Sequence, residues 1–382
     1  MNSDTTLQIS FVGDIALNGG YEDLVRKGET GSLATALSPL LVESDLAIGN
    51  LEGPLTSCSS AGPPWRFGLH GNPAYAPILR SAGVNVVSLA NNHAMDHGWE
   101  GLEDTLRHLQ SAGINYVGAG MNLNEARKPL HVSVRGVNIA ILAYCDVANL
   151  SPLYATNDCP GVAPLRRALI CEDIARAKQA SDVLILCMHW GQENISAPRP
   201  KYRRLGRDMI AAGANIIVGH HPHVLQGIER LHGGVIAYSL GNFTFSDQDW
   251  HVTVRKGESF SMPYRLSEAN RRSAVWKILV NSHGGIIQEN LTPVYLGRDL
   301  LPRADSRPER KIDSDSNNAA LKMRAYGLAW SIRMIGSRFL VNSQQLRAGQ
   351  GFGKRLARVR PRHIRNLWQL LAREWEQFRG GE

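Results

Sequence analysis

The most informative segment of the chain is Leu89-Ala90-Asn91-Asn92-His93-Ala94-Met95-Asp96-His97-Gly98. It continues an apolar run, 84–89, that predicts a buried strand, and it places two amides, two imidazoles and a carboxylate within seven residues. Such groups are costly to bury without partners, and ligands of open α/β sheets bind beyond the carboxyl ends of the strands. Asn92 and His93 could therefore serve a metal, a reacting group, or both. The same residues could also form a polar loop in which Asp96 caps a helix.

Four other apolar runs end in the same way, with side chains of types that bind metals. These are Asp14 after 9–13, Asn50 and Glu52 after 46–49, His189 after 183–188 with Glu193 just beyond, and His221 and His223 after 216–219. Taken singly, Asp14 could be a turn residue and His189 a hydrogen-bonded core histidine. Taken together, the carboxylates, amides and imidazoles suit two divalent metal ions. The sequence therefore predicts a metal site at the ends of five strands.

Several segments, in this order, resemble the CapA family, the poly-γ-glutamate capsule biosynthesis proteins of the calcineurin-like metallophosphoesterase superfamily. They are 11–14, 49–56, 89–98, 116–120, 189–193, 219–226 and 238–243. The resemblance runs from about residue 7 to about residue 246 and implies an α/β fold. It implies a calcineurin-like metallophosphoesterase sandwich of two facing mixed sheets flanked by helices, with the metals at one end.

The resemblance also implies roles for individual residues. Asp14 and His223 would bind the first metal, and Glu52 would bridge the two. The second metal would be bound by Asn92, His189 and His221, and Asn50 is a further candidate ligand. The chain departs from the wider superfamily at two places: Asp14-Ile15-Ala16 stands where Asp-x-His is usual, and Gly49-Asn50-Leu51-Glu52 stands where Gly-Asp-x-x-Asp is usual.

A dinuclear site of this kind predicts hydrolysis. Two divalent ions can activate a water molecule, and Mn, Fe and Zn all suit mixed nitrogen and oxygen ligands. His93 would protonate the leaving group, and Asp96 or Glu193 would orient these histidines unless they cap helices.

Three residues are candidates for substrate contact. His97 and His220 are the remaining imidazoles, and they could equally be packing residues. Arg66 is a candidate anion-binding group, because a guanidinium suits planar recognition of carboxylate or phosphate.

The charge is distributed unevenly along the 382 residues. The net charge is +8, but residues 303–382 hold 17 basic and 7 acidic residues, which leaves the rest slightly acidic. We expect a CapA-like domain over 1–300, a linker over 301–318 and a basic helical C-terminal extension over 319–382. Within the extension, 362–378 carries aromatic residues at helical spacing, which would pack on protein or lie on an anionic membrane surface. No nucleic-acid motif accompanies the charge, so we expect no specific nucleic-acid partner.

The remaining patterns bear on location and on the site mouth. The polar first residues and the lack of a long apolar stretch predict no secretory signal and no membrane span. Five scattered cysteines predict reduced thiols, hence a cytoplasmic protein, with peripheral membrane contact through the C-terminal helix as an option. The polar stretch 247–272 predicts a flexible loop near the site.

Two functions remain open from sequence alone. The first is a dinuclear metal-dependent hydrolase of the CapA type, linked to capsule or poly-γ-glutamate synthesis or processing and acting on an anionic polymer or a phosphorylated small molecule. The second is a non-enzymatic accessory protein that docks on a polymer synthase through its basic C-terminal helices.

Overall fold

Helices lie between strands up to residue 212, and strands alone follow among the described residues. The computed structural model describes residues 6–58, 68–147, 153–253 and 259–306. Its helices are α1 (Gly20–Lys27), α2 (Gly31–Leu41), α3 (Tyr75–Ser81), α4 (Gly98–Ser111), α5 (Leu123–Ala126), α6 (Arg167–Ala177) and α7 (Pro200–Ala212). Its strands are β1 (Thr6–Ile15), β2 (Leu46–Leu51), β3 (Val86–Ser88), β4 (Asn115–Val117), β5 (Ala119–Gly120), β6 (Leu130–Val134), β7 (Val137–Cys145), β8 (Gly161–Val162), β9 (Val183–His189), β10 (Ile216–His220), β11 (Ile228–Leu231), β12 (Gly234–Ala237), β13 (Asn242–Thr244), β14 (Gln248–Thr253), β15 (Ser259–Tyr264), β16 (Arg272–Asn281), β17 (Ile286–Leu296) and β18 (Pro302–Ala304).

The first large sheet has the order β18-β17-β16-β1-β2-β3-β4, with β13 paired to the end of β1. Strands β1 to β4 run parallel to one another, whereas β16, β17 and β18 are antiparallel additions at one side. The antiparallel part contains a hairpin in which β16 and β17 are joined by a turn at Gly284. The sheet is therefore mixed, as expected.

The second large sheet has the order β11-β12-β10-β9-β7-β6. Its central strands β7, β9, β10 and β12 are parallel, and β6 and β11 are antiparallel edges. Side chains of β7 alternate between two apolar cores, with Ile139 and Ile141 on one side and Ala140 and Leu142 on the other. The first core also contains residues of the other large sheet, and the second contains residues of α6 and α7. The α/β sandwich of two mixed sheets flanked by helices is thereby confirmed.

Two predictions about chain organisation change. Residues 247–272 do not form one loop, because β14 and β15 pair as an antiparallel ribbon between Gln248 and Tyr264. The first domain extends past residue 300, since β18 pairs with β17 inside the range predicted as a linker. The extension 319–382 lies outside the described residues. Among the described helices, none is both long and apolar enough to cross a membrane.

Glycine is required immediately before the first polar strand end. A Cβ atom on Gly13 would lie 1.9 Å from the carbonyl oxygen of Gly241, which is main chain and cannot swing away. The amide of Asp14 donates to that same oxygen at 2.9 Å. The close approach of β1 to the segment before β13 therefore sets the position of Asp14.

We expect Gly13→Ala to destabilise the protein by at least about 1–3 kcal/mol, the usual cost of overpacking, as measured by urea unfolding of the full chain. Gly31→Ala is the matched control, because no atom lies within 4 Å of its added Cβ and alanine favours the helix. Equal unfolding free energies for Gly13→Ala and the wild type would contradict this account of the strand junction.

Candidate metal centre

Asp14 lies fully buried near the end of β1, where β1 pairs with Asn50 of β2 on one side and Asn242 of β13 on the other. Its Oδ1 accepts from Asn50 Nδ2 at 2.9 Å, and its Oδ2 lies 3.3 Å from His223 Nδ1. Burial opposes the charged form, but the contacts with His220 and His223 outweigh it and hold the pKa of Asp14 well below its ordinary value. Asp14 is therefore an ionised carboxylate in the interior.

Asn50 contacts Asp14 through its nitrogen, which cannot bind a cation. Its Oδ1 accepts from Asn91 Nδ2 at 3.2 Å, and Asn91 also donates to the carbonyl of Leu51 at 2.7 Å. Asn50 therefore supports Asp14 in this geometry, and its role as a metal ligand stays a prediction.

Glu52 follows β2 and reaches the same place from the first sheet. Its Oε1 lies 3.5 Å from His223 Nε2 and 3.9 Å from His93 Nε2, and neither carboxylate oxygen has a hydrogen-bond partner among the described residues. Burial raises the pKa of Glu52 to about 8, although the two imidazoles oppose that rise. The side chain is therefore costly to bury unless a cation compensates it.

Ligand-type atoms converge in two overlapping groups. The carboxylates of Asp14 and Glu52 lie with the ring of His223, every donor atom within 4.8 Å of the others. Glu193 lies in the same way with the rings of His221 and His223. Glu193, predicted to orient histidines, is thus also close enough to share an ion with them, and His223 belongs to both groups.

Asn92 and His189 add an amide and an imidazole beside the second group. His189 Nε2 lies 2.6 Å from Asn92 Oδ1, and the ring centroids of His189 and His221 are 4.9 Å apart. Burial and the neighbouring His221 hold the pKa of His189 well below its ordinary value, and burial lowers the pKa of His221 to about 4. Both rings are therefore neutral at pH 7, which is the form that binds metals.

His93 faces this cluster with one nitrogen and a carboxylate with the other. Its Nδ1 lies 2.6 Å from Asp96 Oδ2, which also accepts from the amide of Leu69 at 2.7 Å. Burial lowers the pKa of His93, but the charges of Asp96 and Glu52 raise it by more, so that the net shift is upward. Asp96 therefore stabilises the protonated ring and directs Nε2 towards Glu52.

The structure separates the three residues predicted to contact substrate. His220 is buried, with its Nδ1 3.2 Å from Asp14 Oδ1, which favours the packing role that the sequence left open. His97 is partly exposed, its Nδ1 donates to the carbonyl oxygen of Cys58 at 3.0 Å, and its ring packs against that of His70. Arg66 lies outside the described residues.

Several residues of the site escaped sequence reasoning. Asn242 accepts from His223 Nδ1 at 2.9 Å, and Asn270 donates to the carbonyl of His223 at 3.0 Å. The ring of Phe245 meets that of His223 edge to face at 5.1 Å and packs with Ala16, where the superfamily would have an imidazole. Asn242 belongs to segment 238–243, one of the segments that resemble the CapA family, so the sequence did point to it. Asn270 lies in the polar stretch 247–272, where nothing in the sequence pointed to it.

Replacement of Asp96 by Asn should lower the pKa of His93, because the amide keeps the shape but removes the charge that favours the imidazolium. The histidine signals of labelled full-length protein, followed by NMR as a function of pH, would measure this, with His93 assigned by its loss in His93→Gln. Glu100→Gln, on an exposed residue of α4, is the control that should leave the titration unchanged. An unaltered His93 titration in Asp96→Asn would refute the proposed pairing.

Comparison with solved structures finds a remote likeness. A putative 5'-nucleotidase from Staphylococcus aureus in complex with α-ketoglutarate superposes with a TM-score of 0.45 at 12% sequence identity. The match covers 84% of this chain and 58% of that one.

Comparison of sequences finds closer relatives. The PGA biosynthesis protein CapA of Bacillus subtilis (strain 168) is 38% identical over 268 residues, which cover 70% of this chain and 69% of that protein. A probable polyglutamine synthesis accessory protein of Mycobacterium tuberculosis is 29% identical over 273 residues, with 68% of each chain covered. The model of the family described as "Bacterial capsule synthesis protein PGA_cap" matches residues 8–247. The resemblance to CapA proteins is confirmed, and the chain belongs to this bacterial capsule synthesis family.

Proposed function

We propose that this chain is a metal-dependent hydrolase with a dinuclear centre, acting in the synthesis or processing of a capsule polymer. One observation carries the proposal: two groups of ligand atoms, the buried Asp14–Glu52–His223 and the group Glu193–His221–His223 with a half-buried Glu193, overlap at His223. Two such groups beside each other suit two ions side by side, with His223 binding only one of them because it offers one free nitrogen. The arrangement is supported from both large sheets, since Asp14 and Glu52 come from one and His221 and His223 from the other.

The donor set fits divalent metal ions. Carboxylate, imidazole and amide donors together suit Mn, Fe or Zn. Buried atoms without a hydrogen-bond partner among the described residues include both oxygens of Glu52 and the Nδ1 atoms of His189 and His221. Cations at this place would satisfy polar atoms that are otherwise costly to bury. Asp14, Glu52 and His223 would hold one ion, and Glu52, Asn92, His189, His221 and Glu193 would hold the other.

The ions would supply an activated water and stabilise the charge of the transition state. The rest of the chemistry falls to side chains of the cluster. His93 keeps a proton on Nε2 because Asp96 stabilises its charged form, so it can deliver that proton to a leaving oxygen or nitrogen. The backbone amide of Leu69 donates to the same oxygen of Asp96 that His93 contacts. Hydrolysis of a phosphate ester or of an amide bond in an anionic polymer would use this arrangement.

The first test is metal-dependent turnover, measured on a panel of phosphoesters and γ-glutamyl polymers with full-length protein. In His93→Ala we expect metal content to remain and turnover to fall by about 10²–10⁴-fold, the usual contribution of a general acid. His131→Ala, on the exposed face of an edge strand, is the matched control and should behave as the wild type. A wild-type protein that binds no metal, measured by elemental analysis, would overturn the proposal.

A second function is supported by the name of the Mycobacterium tuberculosis relative, a probable polyglutamine synthesis accessory protein. In that case the chain would support a polymer synthase without turnover of its own. His93→Ala would then support polymer formation as well as the wild type does, and deletion of 319–382 would abolish association with the synthase or the membrane. These paired outcomes separate the two functions.

Metal binding should strengthen as pH rises from 6 to 9. Metals bind deprotonated ligands, and in the metal-free protein burial raises the pKa of Glu52 to about 8. Burial lowers the pKa of His223, but the neighbouring carboxylates raise it to about 10 overall. Both groups therefore carry protons at pH 7 and must release them, so affinity should increase by roughly tenfold per pH unit for each proton released. Chelator competition at several pH values, corrected for protonation of the chelator, measures this; an affinity independent of pH would contradict it.

A further inference from the structure

His223 is held in an unusual backbone conformation. Its φ angle is +57° and that of His221 is +93°. Both are positive, and residues other than glycine rarely adopt positive φ angles. Such conformations persist only where the surrounding structure holds them. Asn270 provides such a hold, because its Nδ2 donates to the carbonyl oxygen of His223 at 3.0 Å.

The imidazole of His223 is held separately by Asn242. Asn242 is completely buried, and its Nδ2 donates to the carbonyl oxygen of Asn270 at 3.1 Å. Because the nitrogen faces a carbonyl, the Oδ1 of Asn242 must be the atom that faces His223 Nδ1 at 2.9 Å. An oxygen accepts only, so Nδ1 carries the hydrogen and donates it. The lone pair of neutral His223 is then on Nε2, the atom 3.5 Å from Glu52.

Asn270 also contacts the segment after β9 that carries Glu193. Asn270 Nδ2 also donates to Asn194 Oδ1 at 2.7 Å, and the amide of Asn194 donates to the carbonyl of Pro222 at 2.8 Å. Asn194 has a φ of +62°. Asn270 therefore ties the residue after Glu193 to the segment 222–223.

We propose that Asn242 and Asn270 form an amide clamp that fixes His223 with Nε2 as its metal-binding nitrogen and holds Glu193 in register with it. The clamp rests on the proposed metal centre and deepens it. Neither asparagine need touch a substrate, so both are positioning residues. Hydrogen bonds to the second nitrogen of a ligating histidine fix its tautomer and orientation, and their loss weakens metal affinity.

Asn242→Leu tests the clamp, because it keeps the approximate volume and removes both hydrogen bonds. In the full-length protein we expect zinc affinity, measured by competition with a chromogenic chelator, to fall about 10- to 100-fold. Asn215→Leu is the matched control. Asn215 stands just before β10, at the end of that strand opposite to the site, and its Oδ1 accepts from the amide of Leu184 at 2.9 Å. This variant should leave zinc affinity unchanged.

A second variant separates tautomer control from mere packing. Asn242→Asp keeps an acceptor for Nδ1–H but loses the donor to Asn270, so the clamp predicts that it retains most of the zinc affinity. A purely structural role predicts that Asp, a buried charge with a lost hydrogen bond, is at least as harmful as Leu. Long-range ¹H–¹⁵N spectra of zinc-loaded protein, with His223 assigned by its loss in His223→Gln, should show a protonated Nδ1 in the wild type and in Asn242→Asp.

The outcomes distinguish failure of the clamp from failure of the metal centre. If the wild type binds no zinc, the proposed centre falls and the clamp with it. If the wild type binds zinc and Asn242→Leu binds it equally well, the clamp alone is wrong. Should Asn242→Leu fail to fold, Asn242→Asp decides: zinc affinity near that of the wild type supports the clamp, and a loss of 10-fold or more refutes it.

Discussion

The buried charge of Asp14 is the constraint on which this end of the molecule depends. An ionised carboxylate is costly to remove from water unless hydrogen bonds and opposite charges compensate it. Its partners come from both sheets: Asn50 from β2, and His220 and His223 from the end of β10. One charge thus draws together the carboxyl ends of strands that belong to different sheets. The backbone contact of Gly13 with Gly241 makes the same junction rigid, since it leaves no room for a side chain.

Much of the centre could be predicted from sequence because its residues follow directly on apolar runs. The end of each apolar run can be located in the sequence, and the carboxyl ends of parallel strands lie at the same edge of a sheet. The part of the site that could not be predicted depends on which way a side chain faces after the strand ends. His220 and His221 are adjacent, yet the first is buried against Asp14 and the second joins Glu193 and His223. Adjacent positions in a strand end look alike in sequence, and only the positive φ of His221 separates them.

The amide side chains set a second limit on prediction. An asparagine can present either an oxygen or a nitrogen to its neighbour, and its sequence position does not say which. Asn50 and Asn92 look equivalent as amides after strands, but Asn50 gives its nitrogen to Asp14 whereas Asn92 places its oxygen against His189. The ribbon β14–β15 was missed because polar residues stand between its apolar ones, such as Trp250 and Val252 or Phe260 and Met262, and its pairing depends on register between two separate segments.

Four of the imidazoles of the centre, those of His93, His189, His221 and His223, are divided by their surroundings into two kinds. Burial keeps His189 and His221 neutral, whereas carboxylates beside His93 and His223 favour their charged forms. Imidazoles whose pKa values differ in this way can take different roles at one pH: the neutral ones can bind a metal ion, and a protonated one can act as an acid. For His93 the first of these carboxylates, Asp96, is also held by the amide of Leu69 and is not among the proposed metal ligands. For His223 the favouring carboxylates are Asp14 and Glu52, the very groups that would share an ion with it. A cation at that place would replace the proton as the charge that compensates Asp14 and Glu52, and the proposed acid His93 would keep its own partner in Asp96.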